Sequence, residues 1–547
     1  MLAAGASLPI LSARAASISG DEFRDALKSV MAANGMPGAA AALLVDGKPV
    51  WSQSFGVVDA PGSRAVDAHT IFAVQSISKT FTATAVMLAV QRGLLNLDKP
   101  ISAYLPDFTV NSRHEDSPQA KMTLRLLLSH RAGFTHEAPV GNNYVPESPS
   151  YAAHVRSIQD TWLRYPVGER LAYSNLGIDL AGRILEHVSG MPFGQCLKAW
   201  IFDPLGMADS TAETDVYAAR DNRAAGHMFG VANVALRIPM LASGGVYSSI
   251  ADMARYADFH LHEGRSANRQ VLDPRLWRQM HDFRYGTTYA LGIESSDLRF
   301  SSRTVRMMFH DGGGFGFGAS LRYCPEAGLA WIFLCNGSTK PPAQVGSFDA
   351  LLTDRVLAPR YGAPLPPLPP AEPQIAMAPE MLERWVGSYL NGDGYVDLTV
   401  QDGALGFRFR GDPRFNKLAF TAPGAAWVSD GPLRPQAIRF HEGAGLEAPH
   451  LELVGSGLHW DFNDGPAVPP GPVGNEYDAS LGTYEIVEMG SPIARAALAK
   501  RNGYIYYNDT RAVPYKPGLL FGGSGEALDL RGATPTARNI PLKRVAG

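Results

Sequence analysis

Two proline clusters divide this chain, and neither can lie inside a β-sheet. Eight prolines fall between Pro359 and Pro379, around A-P-L-P-P-L-P-P-A-E-P, and a second cluster, G-P-A-V-P-P-G-P-V-G, begins at Gly465. Proline gives no amide hydrogen to a ladder and favours extended, semi-rigid backbone, so residues 359–379 read as a linker. The segments after the two clusters are alike: R-W-V-G-S-Y, V-D-L-T-V and G-A-L-G-F-R-F after the first, A-S-L-G-T-Y and G-Y-I-Y-Y after the second. Gly387 and Tyr389 recur at the spacing of Gly482 and Tyr484, which predicts a duplicated β unit. Short strands between glycine turns fit two small antiparallel β-barrels, over 380–468 and 475–547. A chain of 547 residues is in any case too long for one core.

Residues 21–358 read as one larger α+β domain, an antiparallel sheet flanked by helices. Phe23, Leu27, Val30 and Met31 have helical spacing over 21–34, ending at Gly35. Residues 39–45 and 50–58, joined by a D-G-K turn, predict a hairpin of that sheet. Thr123 can cap a short apolar helix that ends at Gly133, and His130 in its last turn reads as structural. Residues 151–163 and 178–188 are predicted helices, and another follows a cap at Ser249. Two strand-like segments surround the glycines at 312–314, and 330–336 reads as a buried strand.

Apolar residues at 46% and charged residues at 18% describe an ordinary globular chain. A net charge of -3 gives no electrostatic reason to expect nucleic acid or an anionic membrane as partner. Cys196, Cys324 and Cys335 have no metal-ligand spacing and cannot build a disulfide framework, so neither metal nor other cofactor is expected. No apolar run is long enough for a transmembrane helix. Residues 1–20, with L-A-A-G-A-S-L-P-I-L-S-A-R-A-A-S, resemble the apolar core and cleavage site of an export signal without its basic start. They read as a signal remnant and favour a periplasmic or secreted protein, with the cytoplasm as the alternative.

The chemistry-bearing stretch is F-A-V-Q-S-I-S-K-T-F-T-A-T-A-V-M-L, from Phe72 to Leu88. A strand-like run leads into a Thr- and Ala-rich apolar run that predicts one buried helix, with Ser76 at its start. Residues at i and i+3 share a helix face, so the Lys79 amine can reach the Ser76 hydroxyl. The positive end of the helix dipole and burial both oppose the ammonium form, leaving an amine that can take the serine's proton. S-x-x-K alone is weak, since roughly one or two copies are expected by chance in a chain this long. Order strengthens it. Tyr173 and Asn175, in Y-S-N, fall on a loop at a helix start, and His310 and Gly312, in H-D-G, fall at a strand edge of the same domain.

With S-I-S-K, Y-S-N and H-D-G in that order, and T-L-R-L-L-L-S-H-R-A-G-F and S-G-G-V-Y-S-S-I-A-D-M-A-R-Y beside them, residues 21–357 resemble the penicillin-recognising serine hydrolases. This superfamily includes class C β-lactamases and D-alanyl-D-alanine peptidases, and the resemblance implies a β-lactamase/transpeptidase-like fold. It also implies roles. Ser76 would be the nucleophile, Lys79 its proton partner, and Tyr173 the carrier of a proton to the leaving group. Asn175 would hold the substrate or Lys79, and His310 would complete the catalytic set. Gly312 and Gly313 would bind substrate, with the amides of Ser76 and Gly313 facing the oxyanion. Such a site makes an acyl-enzyme and then hydrolyses it, and whether Lys79 or Tyr173 is the acylation base stays open.

Class C β-lactamases and D,D-peptidases have K-T-G where this chain has H-D-G. A fixed ammonium holds a substrate carboxylate at ordinary pH, whereas histidine is largely neutral above about pH 7, so penicillin is disfavoured. Asp311 could raise the His310 pKa only if their side chains met, and strand neighbours point to opposite faces. The glycines at 312–318 lack the spacing of a phosphate loop, so nucleotide is not expected. A catalytic domain with two barrels resembles the bacterial D-aminopeptidase (D-stereospecific amidase) branch, in which barrels can restrict the cleft to short substrates. A peptidase of linearised microcystin is similar in size and kind. The expectation is a serine hydrolase of a small molecule or short peptide, peptidase or amidase ahead of carboxylesterase or weak β-lactamase, with homodimers allowed for. The rival of another class is a non-catalytic peptide- or β-lactam-binding protein.

Overall fold

The computed structural model describes residues 20–545 apart from 146–148, 229–230, 233–236, 267–268, 287, 338–347, 366–373, 392–393, 429–435, 445–446, 455–457 and 466–470. The expected signal remnant, save Gly20, lies outside the described residues, as do 366–373 of the linker and 466–470 of the second proline cluster.

The first part of the chain is organised on a six-stranded antiparallel sheet. Helix α1 (Gly20–Asn34) precedes the hairpin of β1 (Gly38–Val45) and β2 (Lys48–Gly56). Four further strands come late in the domain: β3 (Glu294–Arg299), β4 (Thr304–Gly314), β5 (Phe317–Cys324) and β6 (Leu329–Cys335). β6 returns to pair with β1, so the order across the sheet is β2-β1-β6-β5-β4-β3. β1 is buried along its whole length because the sheet is covered on both faces. Ala40, Ala42 and Leu44 face the core around the Ser76 helix, while Ala39, Ala41 and Leu43 face Phe23 and Leu27 of α1.

The helical layer that carries the site is inserted between the hairpin and β3. It contains α2 (Ser78–Gln91), α3 (Leu124–Leu128), α4 (Asn175–Ser189) and α5 (Ile250–Leu261). α2 is buried on every side, so its threonines must find partners inside the protein: Thr80 donates to the Ile77 carbonyl, Thr82 to Ala242 and Thr84 to Thr80. Ser174 and Ser249 cap α4 and α5 through their hydroxyls. Two expectations are corrected. The helix after Thr123 stops at Leu128 rather than reaching Gly133, because His130 turns left-handed at φ 57. The helix at 151 is α-helical only over Tyr151–Ser157 and closes with a 3₁₀ turn at Ile158–Asp160.

Two closed antiparallel barrels follow, the first running from Gly387–Leu390 to Leu458–Phe462 and the second from Gly482–Glu488 to Ile540–Arg544. The duplicated G-x-Y opens each of them. Gly387 and Gly482 have φ of 150 and 149, and the buried tyrosine two residues on donates to a carbonyl four residues back, Tyr389 to Trp385 at 3.1 Å and Tyr484 to Ser480 at 2.5 Å.

Both barrels dock on the segment that leads into Tyr173. Tyr165 and Arg170 bond Asp461 of the first barrel at 2.7 and 2.8 Å. Arg164 pairs with Glu526 of the second at 2.9 Å, and the same carboxylate accepts the Thr135 hydroxyl at 2.6 Å. Among the described residues no helix is long and apolar enough to cross a membrane, and no group of three His, Cys, Asp or Glu could hold a metal. The three cysteines are free and buried.

Candidate active site

Ser76 is presented by a strand, a sharp turn and a helix in succession. Phe72–Ala73 pairs with Tyr247–Ser248, Gln75 adopts a left-handed φ of 50, and the 3₁₀ turn Gln75–Ile77 runs directly into α2. A non-glycine residue held in that region is strained, and surrounding structure must impose it. The result is a half-buried Ser76 at the mouth of the turn, with Lys79 one turn further on and 0% exposed.

The Lys79 amine lies 2.9 Å from Ser76 Oγ, 2.8 Å from Asn175 Oδ1 and 3.0 Å from the Ser243 carbonyl oxygen. The amide oxygen of Asn175 and the carbonyl of Ser243 can only accept, so they take two amine hydrogens. In the neutral amine the lone pair is then left for the Ser76 hydroxyl. Burial pushes the Lys79 pKa down to about 7 against the opposing charges of Asp179, Glu137 and Glu294. The amine can therefore both take and return a proton near neutrality.

The Y-S-N turn is held by residues 130–136. The Ser174 amide donates to His130 Nδ1 at 3.1 Å, the Ser174 hydroxyl to the Thr135 carbonyl at 2.6 Å, and the Asn175 amide to the His136 carbonyl at 3.3 Å. The half-buried Tyr173 ring has the Lys79 amine 4.9 Å from its centre and the rings of His130 and His136 at 4.4 and 5.6 Å.

At the third motif, His310 and Gly312 share the face of β4 that meets the Ser76 turn. Asp311 points the other way, to Arg322 at 2.7 Å and Ser320 at 2.5 Å, so its carboxylate does not meet the imidazole. The Asp311 carbonyl takes the His310 Nδ1 hydrogen at 2.7 Å, which leaves Nε2 to accept from the Tyr289 hydroxyl at 2.9 Å. Burial, with the charge of Lys79, brings the His310 pKa to about 4. The ring is neutral, buried and bonded at both nitrogens, which gives it a supporting place behind Tyr289. Gly312 abuts the nucleophile turn, and Gly313, the next residue of β4, is exposed.

Four further residues belong to this arrangement. His130, read from sequence as structural, packs its ring against Tyr173, and burial drives its pKa well below the usual imidazole range. Its Nδ1 accepts from Ser174, so the proton sits on Nε2. Tyr289 carries no motif, and Ser243 acts through its main-chain carbonyl, which no side-chain pattern reveals. Asp179 fixes that carbonyl by accepting from the Ala242 and Ser243 amides, both at 2.9 Å. Its place one helical turn beyond Asn175, a carboxylate within the otherwise apolar stretch 176–182, was the available signal.

The sequence profile of the family described as Beta-lactamase matches residues 23–355. A β-lactamase of Yersinia enterocolitica is 27% identical over 358 residues, covering 59% of this chain and 89% of the relative. The D-alanyl-D-alanine-carboxypeptidase/endopeptidase AmpH of Escherichia coli (strain K12) is 26% identical over 275 residues, covering 49% of this chain and 69% of the relative. The crystal structure of SurE with D-Leu has a similar fold, with a TM-score of 0.56 at 22% identity over 81% of this chain and 98% of that one. Since the matched region spans the sheet, α2 and all three motifs, the chain belongs to the beta-lactamase family of serine hydrolases.

Proposed function

We propose that this chain is a peptidase or amidase that forms an acyl-enzyme at Ser76 and acts on short or D-residue-containing peptides. The observation that carries this reading is the Lys79 amine, 2.9 Å from Ser76 Oγ and lowered to a pKa of about 7. Ser76 Oγ bonds to the substrate carbonyl carbon while its proton passes to Lys79. The carbonyl electron pair moves to oxygen, which the Ser76 and Gly313 amides receive. Tyr173 relays a proton to the leaving nitrogen, the C–N bond breaks and the amine departs. Water then attacks the ester, giving its proton to the Lys79 and Tyr173 pair, and the acid product leaves as Ser76 regains its hydrogen.

Three observations favour a peptide over penicillin. His310 is neutral, so the third motif offers no fixed cation to a carboxylate. β3 pairs with β4 only over Thr304–Phe309, and beyond Phe309 a short extended substrate could add along that edge. The first hairpin of the second barrel also reaches the catalytic domain, where Met489 packs on its core and Glu488 feels the charge of Glu137. A carboxylate at that tip suits a substrate ammonium. A relative named for D-alanyl-D-alanine carboxypeptidase and endopeptidase activity supports the D-residue reading.

Treatment with a fluorophosphonate followed by peptide mass spectrometry should find the adduct on Ser76, and an unmodified Ser76 overturns the acyl-enzyme. A panel of short D- and L-residue amides beside p-nitrophenyl esters should give amide turnover. Ester turnover alone would defeat the peptidase reading.

A further inference from the structure

Behind Lys79 lies a second, wholly buried set of polar groups. Asp179 Oδ2 accepts from the Ser243 hydroxyl at 2.7 Å and faces His154 Nε2 at 3.2 Å, while its Oδ1 takes the Ala242 and Ser243 amides. On the other side of the ring, His154 Nδ1 lies 2.9 Å from the Val140 carbonyl oxygen. Both His154 and Asp179 are 0% exposed. A carbonyl only accepts, and the carboxylate has no hydrogen to give, so each ring nitrogen must be the donor in its bond. A neutral imidazole has one N–H and cannot make both.

We propose that His154 is an imidazolium ion paired with the Asp179 carboxylate, and that the pair positions and tunes the Lys79 base. Asp179 holds the Ser243 carbonyl where it takes a Lys79 hydrogen, and the positive ring offsets the carboxylate's charge. The electrostatics agree. Burial opposes the charged ring, but the hydrogen bond and charge of Asp179, with smaller help from the Val140 carbonyl and Glu137, carry the His154 pKa above its ordinary value. Asp179 is also the first of the three carboxylates, before Glu137 and Glu294, that favour protonated Lys79. The other groups facing Lys79 are Tyr173 and the neutral His310, whose ring and that of His130 would be disfavoured as cations by the same amine. Without the imidazolium, Asp179 would hold Lys79 in its charged, inactive form to higher pH. His154 and Asp179 are positioning residues, since neither touches the reacting atoms.

The tuning role rests on Lys79 acting as the base, whereas the charge state of His154 does not. Nitrogen-15 NMR of the full chain labelled at histidine, with His154→Gln for assignment, should show both ring nitrogens protonated at neutral pH, where an ordinary imidazole is mostly neutral. A neutral His154 there overturns the pair. In kinetics, His154→Gln should move the acidic limb of the kcat/KM profile up by about one pH unit while the rate at high pH recovers to within a few fold. Asp179→Asn should lower that limb and also the plateau, because the Ser243 carbonyl loses an anchor. Variants that lose rate and thermal stability together with the limb unmoved would leave the pair merely structural and overturn the tuning. Failure of Ser76 labelling, by contrast, would overturn the proposed reaction and leave the NMR result standing.

Discussion

A Cβ added to Gly312 would stand 2.3 Å from the carbonyl oxygen of Val74 and 3.1 Å from the Ser76 amide nitrogen. The strand of the third motif and the turn of the nucleophile therefore touch through backbone, and only a glycine lets them do so. Gly312→Ala should push β4 away from the turn at a cost of about 1–3 kcal/mol. The adjacent Gly313 amide would move with it, so kcat should fall more than KM rises. Thermal melting and steady-state kinetics on one ester substrate check both effects, and wild-type turnover would show that this contact does not set the site's geometry.

The state of Lys79 gives the reaction a pH signature. A base must be neutral, burial is the main reason that its pKa falls to about 7, and the ammonium form grows as pH drops through that value. Below it, kcat/KM should fall about tenfold per pH unit. Lys79→Arg keeps a long cation but cannot lose its proton, so activity above about pH 7 should drop by roughly 10²–10⁴-fold, and the acidic limb should disappear. An acidic limb unchanged in position in that variant would assign the titration to another group.

Glu488 offers a test of substrate class. Burial and the nearby charge of Glu137 raise its pKa, so its carboxylate gains from any cation brought to it. With Glu488→Gln, KM for peptides bearing a free amino terminus should rise about tenfold. The N-acylated forms of the same peptides should be unaffected. Equal effects on both forms would mean that Glu488 shapes the hairpin and does not read the ammonium.

How much of this was legible in the sequence depended on whether a residue's role is set locally. The caps at Thr123 and Ser249, the buried helix after Ser76 and the repeated G-x-Y are decided within a few residues, and each appears where its pattern sits. The order of the three motifs sufficed to bring Ser76, Lys79, Asn175 and Tyr173 together. The place of His130 against Tyr173 depends on a left-handed φ that a non-glycine residue does not announce. The Ser243 carbonyl and the Tyr289 hydroxyl act through contacts made across the fold. So do the barrel contacts, since Thr135 meets Glu526 and Arg170 meets Asp461 across hundreds of residues with no periodicity to link them.

Those barrel contacts reach the catalytic turn by a short path. Glu526 accepts from the Thr135 hydroxyl, the Thr135 carbonyl accepts from Ser174, and Ser174 lies between Tyr173 and Asn175, with each bond at 2.6 Å. Glu526 is also the partner of Arg164 at 2.9 Å, and both side chains are nearly buried. Glu526→Gln keeps an acceptor for Thr135 but leaves the Arg164 guanidinium uncompensated, so stability should fall by about 3–5 kcal/mol while kcat changes little. Thr135→Val does the reverse: the ion pair survives, one hydrogen bond of about 1–3 kcal/mol is lost, and the loosened Y-S-N turn should lower kcat several-fold with KM nearly constant. Denaturant unfolding and steady-state kinetics on the two variants separate these outcomes. If Thr135→Val destabilises the fold but leaves kcat intact, the second barrel supports the domain without steadying Tyr173.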